Sequence, residues 1–327
     1  MKKTLLLIAL TFSFLCAKGQ QPKTLAFDHN AHTLIDEIGN NDTFEQLAQE
    51  IDARGTTDIQ KLSLAAAWML NHMDFDMDKF EVGSGIPDHQ TVFKVKKGIC
   101  GDYASLFAAF CSRFDLPNEI IEGYVPEYDS NNDVYYETNH VWNIVKLGDA
   151  WYHCDLQGFS GHLKKLDAGF TFVKQANYSS FLTQEIAFLK KHVPADPLWQ
   201  LTDYPIPLAS LLGGKEIPNA NSATRGTAYK DRIKEYRSLP PWERKIVFAK
   251  HAYDYNKNNC SALVINYFNV AVDLFNTSKG DKATLVRSKT YFEKLKGFIG
   301  DLPGCDPFDY LTADIDQALR DINKYLP

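Results

Sequence analysis

Three residues carry the chemistry this sequence offers: Cys100, His140 and Asp155. Cys100 follows Lys97-Gly98-Ile99 and opens an apolar stretch, which places it at the mouth of a helix just after a flexible glycine. The unpaired N–H groups and partial positive charge of a helix N-terminus favour a thiolate over a thiol. His140 begins the strand-like run His140-Val141-Trp142-Asn143-Ile144-Val145, and Asp155 ends Trp151-Tyr152-His153-Cys154-Asp155. A thiol nucleophile, an imidazole base and a carboxylate to orient it are the parts of a thiol acyl-transfer site.

The elements that would position these groups can be read from their spacing. Along a helix from Cys100 to about Phe114, steps of four and three residues put Cys100, Ala104, Phe107, Cys111 and Phe114 on one stripe. The thiol then stands at the N-terminal end of the face that packs on something apolar. If Gly148-Asp149 is a two-residue turn, Trp142 faces Asp155 across a hairpin. His140 shares the face of Trp142 and becomes a diagonal neighbour of Asp155. Trp142 is then placed to shield the pair from water. Cys154 points to the other face, Cys111 reads as a core cysteine, and His153 is a rival base ranked below His140. Asp102 reads as a charge stabiliser of the helix N-terminus. The remaining histidines and cysteines lack zinc spacing, and neither a calcium loop nor a phosphate-binding glycine loop is present, so no metal and no cofactor is expected.

The rest of the chain bounds the setting. Of 327 residues, 45% are hydrophobic and 13% aromatic, enough for a sizeable core. Met1-Lys2-Lys3, the apolar run Leu5 to Ala17 and the small-x-small site Ala17-Lys18-Gly19 read as a secretory signal over 1–19. The protein is therefore expected to be exported, periplasmic or extracellular. Lipoprotein anchoring at Cys16 is the lesser alternative, because bulky Leu15 stands where such a signal wants a small residue. No later segment reads as transmembrane. The net charge is −6, and it becomes −9 once Lys2, Lys3 and Lys18 leave with the signal. An acidic chain without a basic cluster argues against nucleic acid as partner.

Helices are expected over 31–53, 57–73 and 100–114, and strands over 119–125, 140–145 and 151–155; residues 80–97 read as irregular. Gly213-Gly214 and Asn219-Ala220-Asn221-Ser222 look like a linker, with proteolysis expected between 213 and 226. The pattern is helical beyond about Thr224. The organisation is thus a signal over 1–19, a catalytic domain over 20–212 and a helical C-terminal domain over 225–327, an accessory bundle that could bind a protein partner. Cys260 and Cys305 both sit beside helix breakers; a disulfide is conceivable, but two independent buried thiols are the favoured expectation.

The residues Lys97-Gly98-Ile99-Cys100-Gly101-Asp102-Tyr103-Ala104-Ser105-Leu106-Phe107, Phe114-Asp115-Leu116-Pro117, Gly123-Tyr124, His140-Val141-Trp142-Asn143 and Trp151-Tyr152-His153-Cys154-Asp155 together resemble the transglutaminase-like core. The likeness is to its bacterial cysteine protease branch. The resemblance implies an α+β, papain-like fold, with the nucleophile helix packed on an antiparallel sheet. It also implies Cys100 as nucleophile, His140 as base and Asp155 as its orienter. Leu156 departs from the proline many relatives carry after the aspartate. The chain is too short for the β-sandwich and paired barrels of animal transglutaminases.

The function expected from these readings is acyl transfer on peptide or glutamine-side-chain amides, hydrolytic in the first instance, with a protein or peptide as substrate. The Cys100 backbone N–H is the expected oxyanion donor, and Gln90 is a candidate second donor. The alternatives are an amine-accepting crosslinker and a secreted binding or scaffolding module that keeps the fold without turnover.

Overall fold

A computed structural model describes residues 24–39, 41–82, 85–126, 137–167, 169–212 and 227–326. The signal expected over 1–19 and the linker expected at 213–226 lie outside these residues, as does the polar run Asp129-Ser130-Asn131-Asn132-Asp133. The chain starts with α1 (Ala31–Leu34) and a 3-10 turn at Ile35–Glu37, then α2 (Phe44–Arg54) and α3 (Asp58–His72). The single helix expected over 31–53 is broken because Thr43 starts a new one. Its hydroxyl accepts from Gln46 N at 3.2 Å, and the Gln46 side chain accepts from Thr43 N at 3.2 Å, a capping box.

The stretch read as irregular is largely ordered. After β1 (Asp74–Phe75), residues 80–97 take in the end of α4 (Met77–Val82), all of α5 (His89–Val95) and the start of β2 (Lys97–Gly98). These elements are short, and Pro87 and the flanking glycines hide their periodicity. Asp88 caps α5 by accepting from Gln90 N and Thr91 N.

Next come α6 (Cys100–Arg113), β3 (Asn118–Tyr124), β4 (His140–Leu147) and β5 (Ala150–Cys154). They are followed by α7 (Leu156–Ser160), β6 (Gly161–Lys165), β7 (Phe170–Lys174), α8 (Ile186–Leu189), β8 (Val193–Pro194) and α9 (Leu208–Leu212). Strands β5, β4, β3 and β8 form one antiparallel sheet in that order. Asn143 pairs with Cys154, Ile144 with His153 and Leu147 with Ala150, the register a two-residue turn at Gly148-Asp149 requires. Gly148 takes φ 56°, a left-handed value that a side chain would strain.

The period of two along these strands sorts residues onto two faces. Val145, Leu147, Tyr152 and Cys154 join the core cluster of Phe107, Phe110 and Cys111 on α6. Trp142, Ile144 and Trp151 join Ile121, Phe188, Leu198 and Trp199 on the opposite side. Ala104, Phe107, Cys111 and Phe114 are all buried, so the stripe seen in the sequence is the packing face of α6. Removing one such phenylalanine ring typically costs about 3–5 kcal/mol, which makes this face the main hold on the helix.

The remaining elements are helices α10 (Ala228–Ser238), α11 (Pro241–Tyr255), α12 (Cys260–Thr277), α13 (Lys282–Asp301) and α14 (Thr312–Asn323). Leu263, Val270, Phe292, Leu295 and Ile315 fill a core shared by the last four. Helices α10 to α12 and their caps meet β3 through polar contacts. Glu119 binds Arg237 and Arg244, and the Tyr124 hydroxyl accepts from Asn259 Nδ2 at 2.8 Å and Asn256 Nδ2 at 3.2 Å.

Cys260 and Cys305 are joined by a disulfide, with Cα atoms 5.3 Å apart, against the favoured expectation of two separate thiols. The turn at Leu302–Gly304 brings Cys305 back onto the start of α12, a fold-level proximity that no local pattern encodes. The bridge closes a loop of 45 residues. Chain-entropy arguments give such a loop roughly 4 kcal/mol of stability. A Cys260→Ala/Cys305→Ala variant should therefore unfold at a clearly lower denaturant midpoint; an unchanged midpoint would contradict this.

Candidate active site

The site is assembled where the mouth of α6 meets the start of β4 and the end of β5. Two interactions hold the mouth. Asp102, buried in the first turn, accepts from Ile99 N at 2.8 Å and from Lys79 Nζ at 2.6 and 2.7 Å. Gly98 makes this possible, since a Cβ there would stand 2.3 Å from the Asp102 Cβ. Asn143, on the α6 side of β4, donates from Nδ2 to the Ala104 carbonyl at 3.0 Å and ties helix to strand. Cys100 is thereby fixed as the first residue of α6, where its N–H has no partner due to it within the helix.

The structure brings Cys100, His140 and Asp155 together. His140 Nε2 donates to Asp155 Oδ2 at 2.9 Å, with both side chains almost fully buried. A second hydrogen bond joins the His140 ring to Cys100, and the Val141 backbone N–H also reaches the thiol. With Nε2 held by the carboxylate, Nδ1 is the nitrogen left for sulfur. Asp155 is also the cap of α7: its Oδ1 accepts from Gly158 N at 3.0 Å. Trp142 lies 5.9 Å from His140 between ring centres, inclined by 22°, and is fully buried. Its indole N–H donates to His153 Nδ1 at 3.0 Å, which makes that nitrogen an acceptor and engages the rival base in supporting the tryptophan.

Gln90 is differently placed. It lies in the first turn of α5, where its side-chain amide donates to Glu45 on α2. No contact to Cys100 is found for it among the described residues, and its amide is already engaged.

A residue the sequence reading passed over completes the group. His192, just before β8, donates from Nε2 to the same Asp155 Oδ2 at 2.9 Å. It stacks on Phe188, with ring centres 4.1 Å apart and planes within 4°. The one signal for it is local and slight: Phe188 and His192 stand four residues apart just before Val193-Pro194. One ligand atom each of His140, Asp155 and His192 lie within 4.8 Å of one another, the one such grouping of three among the described residues. Both imidazoles approach one carboxylate oxygen at hydrogen-bond distance, 2.9 Å each.

Electrostatics follows from this geometry. Burial opposes ionisation of Cys100, yet the His140 hydrogen bond and charge outweigh it and lower the thiol pKa. Burial likewise opposes a charged His140, but Asp155 and Cys100 raise its pKa to about 10. Asp155 is depressed far below the usual carboxylate range, its burial overcome by His140 and His192. Burial lowers the pKa of His192, so the second imidazole is neutral. Cys111 and Cys154, fully buried away from any such partner, are pushed up by desolvation. The pair Cys100 thiolate–His140 imidazolium thus forms as pH rises through the depressed thiol pKa and is lost as pH passes about 10. Iodoacetamide should alkylate Cys100 well ahead of Cys111 and Cys154 at mildly acidic pH in the folded protein. Equal rates at the three, followed by peptide mapping, would refute this ordering.

A thiolate at a helix N-terminus backed by a buried imidazole and carboxylate is equipped for nucleophilic attack on an acyl carbon. Residues 45–156 match the family model of the transglutaminase-like superfamily. The matched stretch, of mixed helix and antiparallel strand, takes in Cys100, His140 and Asp155 and ends before His192. A search of curated proteins finds no match. No helix among the described residues is long and apolar enough to cross a membrane.

Proposed function

We propose that this protein is an exported thiol acyl-transfer enzyme of the cysteine protease kind, acting on peptide or glutamine-side-chain amides. The observation that carries the reading is the continuous hydrogen-bonded line from Cys100 through His140 to Asp155 at the mouth of α6. In this mechanism the Cys100 thiolate attacks the amide carbon. The oxyanion that forms accepts from the Cys100 N–H at the positive end of the helix. His140 gives its proton to the departing amine, leaving a thioester on Cys100. It then takes a proton from water, which attacks the thioester, releases the acid and restores the thiol proton to the pair. Asp155 holds the imidazole in one orientation and stabilises its charged form.

In this reading α6 on the β5-β4-β3-β8 sheet is the papain-like catalytic unit, and α10–α14 are an accessory helical domain. The signal-like residues 1–19 support export. The test is a peptide-library and thiol-probe screen on the mature chain, wild type beside Cys100→Ala. Turnover or probe labelling that survives the substitution unchanged sinks the proposal.

A further inference from the structure

We infer that His192 is a positioning residue for the Cys100–His140 pair, acting through Asp155; the inference rests on the acyl-transfer reading of that pair. Strand β8 lies two strands from β4 and pairs with β3 only at Gly123–Pro194 and Tyr124–Val193. That short pairing sets His192 across the site from His140, their ring centres 5.5 Å apart. The two imidazoles donate to the same oxygen of Asp155 at 2.9 Å each, and the other oxygen takes the Gly158 N–H at 3.0 Å. The carboxylate is therefore pinned from three directions and cannot rotate away from His140 without breaking a second hydrogen bond.

The His192 ring is itself immobilised. Phe188 covers one face, and Trp142 stands across it at 5.4 Å between ring centres, inclined by 78°. A neutral His192 that donates from Nε2 leaves Nδ1 as an acceptor. That nitrogen is buried and faces the Phe188 carbonyl without hydrogen-bond geometry. Burying an acceptor without a partner destabilises a fold, so packing alone does not account for a histidine here. Its Nε2–H on Asp155 does. A neutral donor also leaves the full negative charge of Asp155 facing the His140 imidazolium, where a second cation would compete for it.

The measurement is the pH dependence of Cys100 alkylation in the full mature protein, which needs no substrate. His192→Phe keeps a flat ring against Phe188 and removes the donor. His192→Gln loses the ring but places an amide N–H near the position of Nε2. His192→Phe should alkylate roughly tenfold more slowly than wild type at mildly acidic pH, with its midpoint moved upward by about one pH unit, the scale of one lost hydrogen bond to a charged group. His192→Gln should recover most of that loss. A His192→Phe profile that overlays wild type overturns the inference. So does an equal loss in both variants, which would mark a purely structural ring. If His192→Phe fails to fold, His192→Met, of similar length and without a donor, takes its place in the comparison. A wild-type Cys100 that titrates near the ordinary thiol value of about 8.5 defeats the thiolate reading itself and the inference with it. A depressed wild-type midpoint with an unmoved variant defeats only the role of His192.

Discussion

Replacing Cys100 with alanine should reduce acyl transfer to the uncatalysed background, a loss of about six decades if the three residues act as a unit. The expectation follows from where the sulfur stands. It is the partly exposed thiol at the mouth of α6, while Cys111 and Cys154 are buried with raised pKa values and cannot substitute for it. The fold should survive, since alanine suits the first turn of a helix and Asp102 and Lys79 hold the mouth independently. Measuring kcat/KM for an identified peptide substrate, alongside thermal unfolding, separates lost chemistry from lost structure. Wild-type turnover in a folded Cys100→Ala protein would remove the nucleophile from this account.

The second large effect is expected at Asp155. Asp155→Asn should slow turnover by up to roughly four decades, the scale known when a triad carboxylate is replaced by its amide. Asparagine keeps an oxygen for the Gly158 N–H and is as good a helix cap as aspartate, so α7 should remain formed. What disappears is the negative charge that raises the His140 pKa to about 10 and the acceptor shared by two Nε2–H donors. The alkaline limb of the pH–rate profile should therefore move down, because an imidazolium without its carboxylate loses its proton earlier. A rate within tenfold of wild type, with the alkaline limb in place, would reduce Asp155 to a cap.

What the chain discloses about itself depends on the range of the interactions. The β4–β5 hairpin is local: a Gly-Asp turn between two alternating runs sets its register, and with it the side-by-side placement of His140, Trp142 and Asp155. The stripe on α6 is equally local, and its buried residues follow from spacing alone. His192 is a different case. Its place depends on two residue pairs between β3 and β8, some seventy positions apart in the chain, and on the stacking of a single phenylalanine. The Cys260–Cys305 bridge likewise depends on how the turn after α13 folds back, and α4 and α5 are too short to show a period. Gln90 is instructive in the opposite direction. It is polar and lies upstream of the nucleophile, yet the Asp88 cap starts α5 in a direction that delivers its amide to Glu45.

The spacing of sulfur in this molecule decides how it meets an oxidant. Cys111 lies about three turns along α6 from Cys100, ~16 Å of helix rise, and a disulfide needs Cα atoms within ~7 Å. Cys154 packs beside Cys111 in the same core, and Cys260 and Cys305 are already bonded to each other. A thiolate at Cys100 that is oxidised to a sulfenic acid consequently has no resolving cysteine among the described residues. With none of those cysteines in reach, its reduction falls to a thiol from elsewhere, and without one the next oxidation step is permanent. The working lifetime of the site in an oxidising medium is thus set by the small-molecule thiols around the protein.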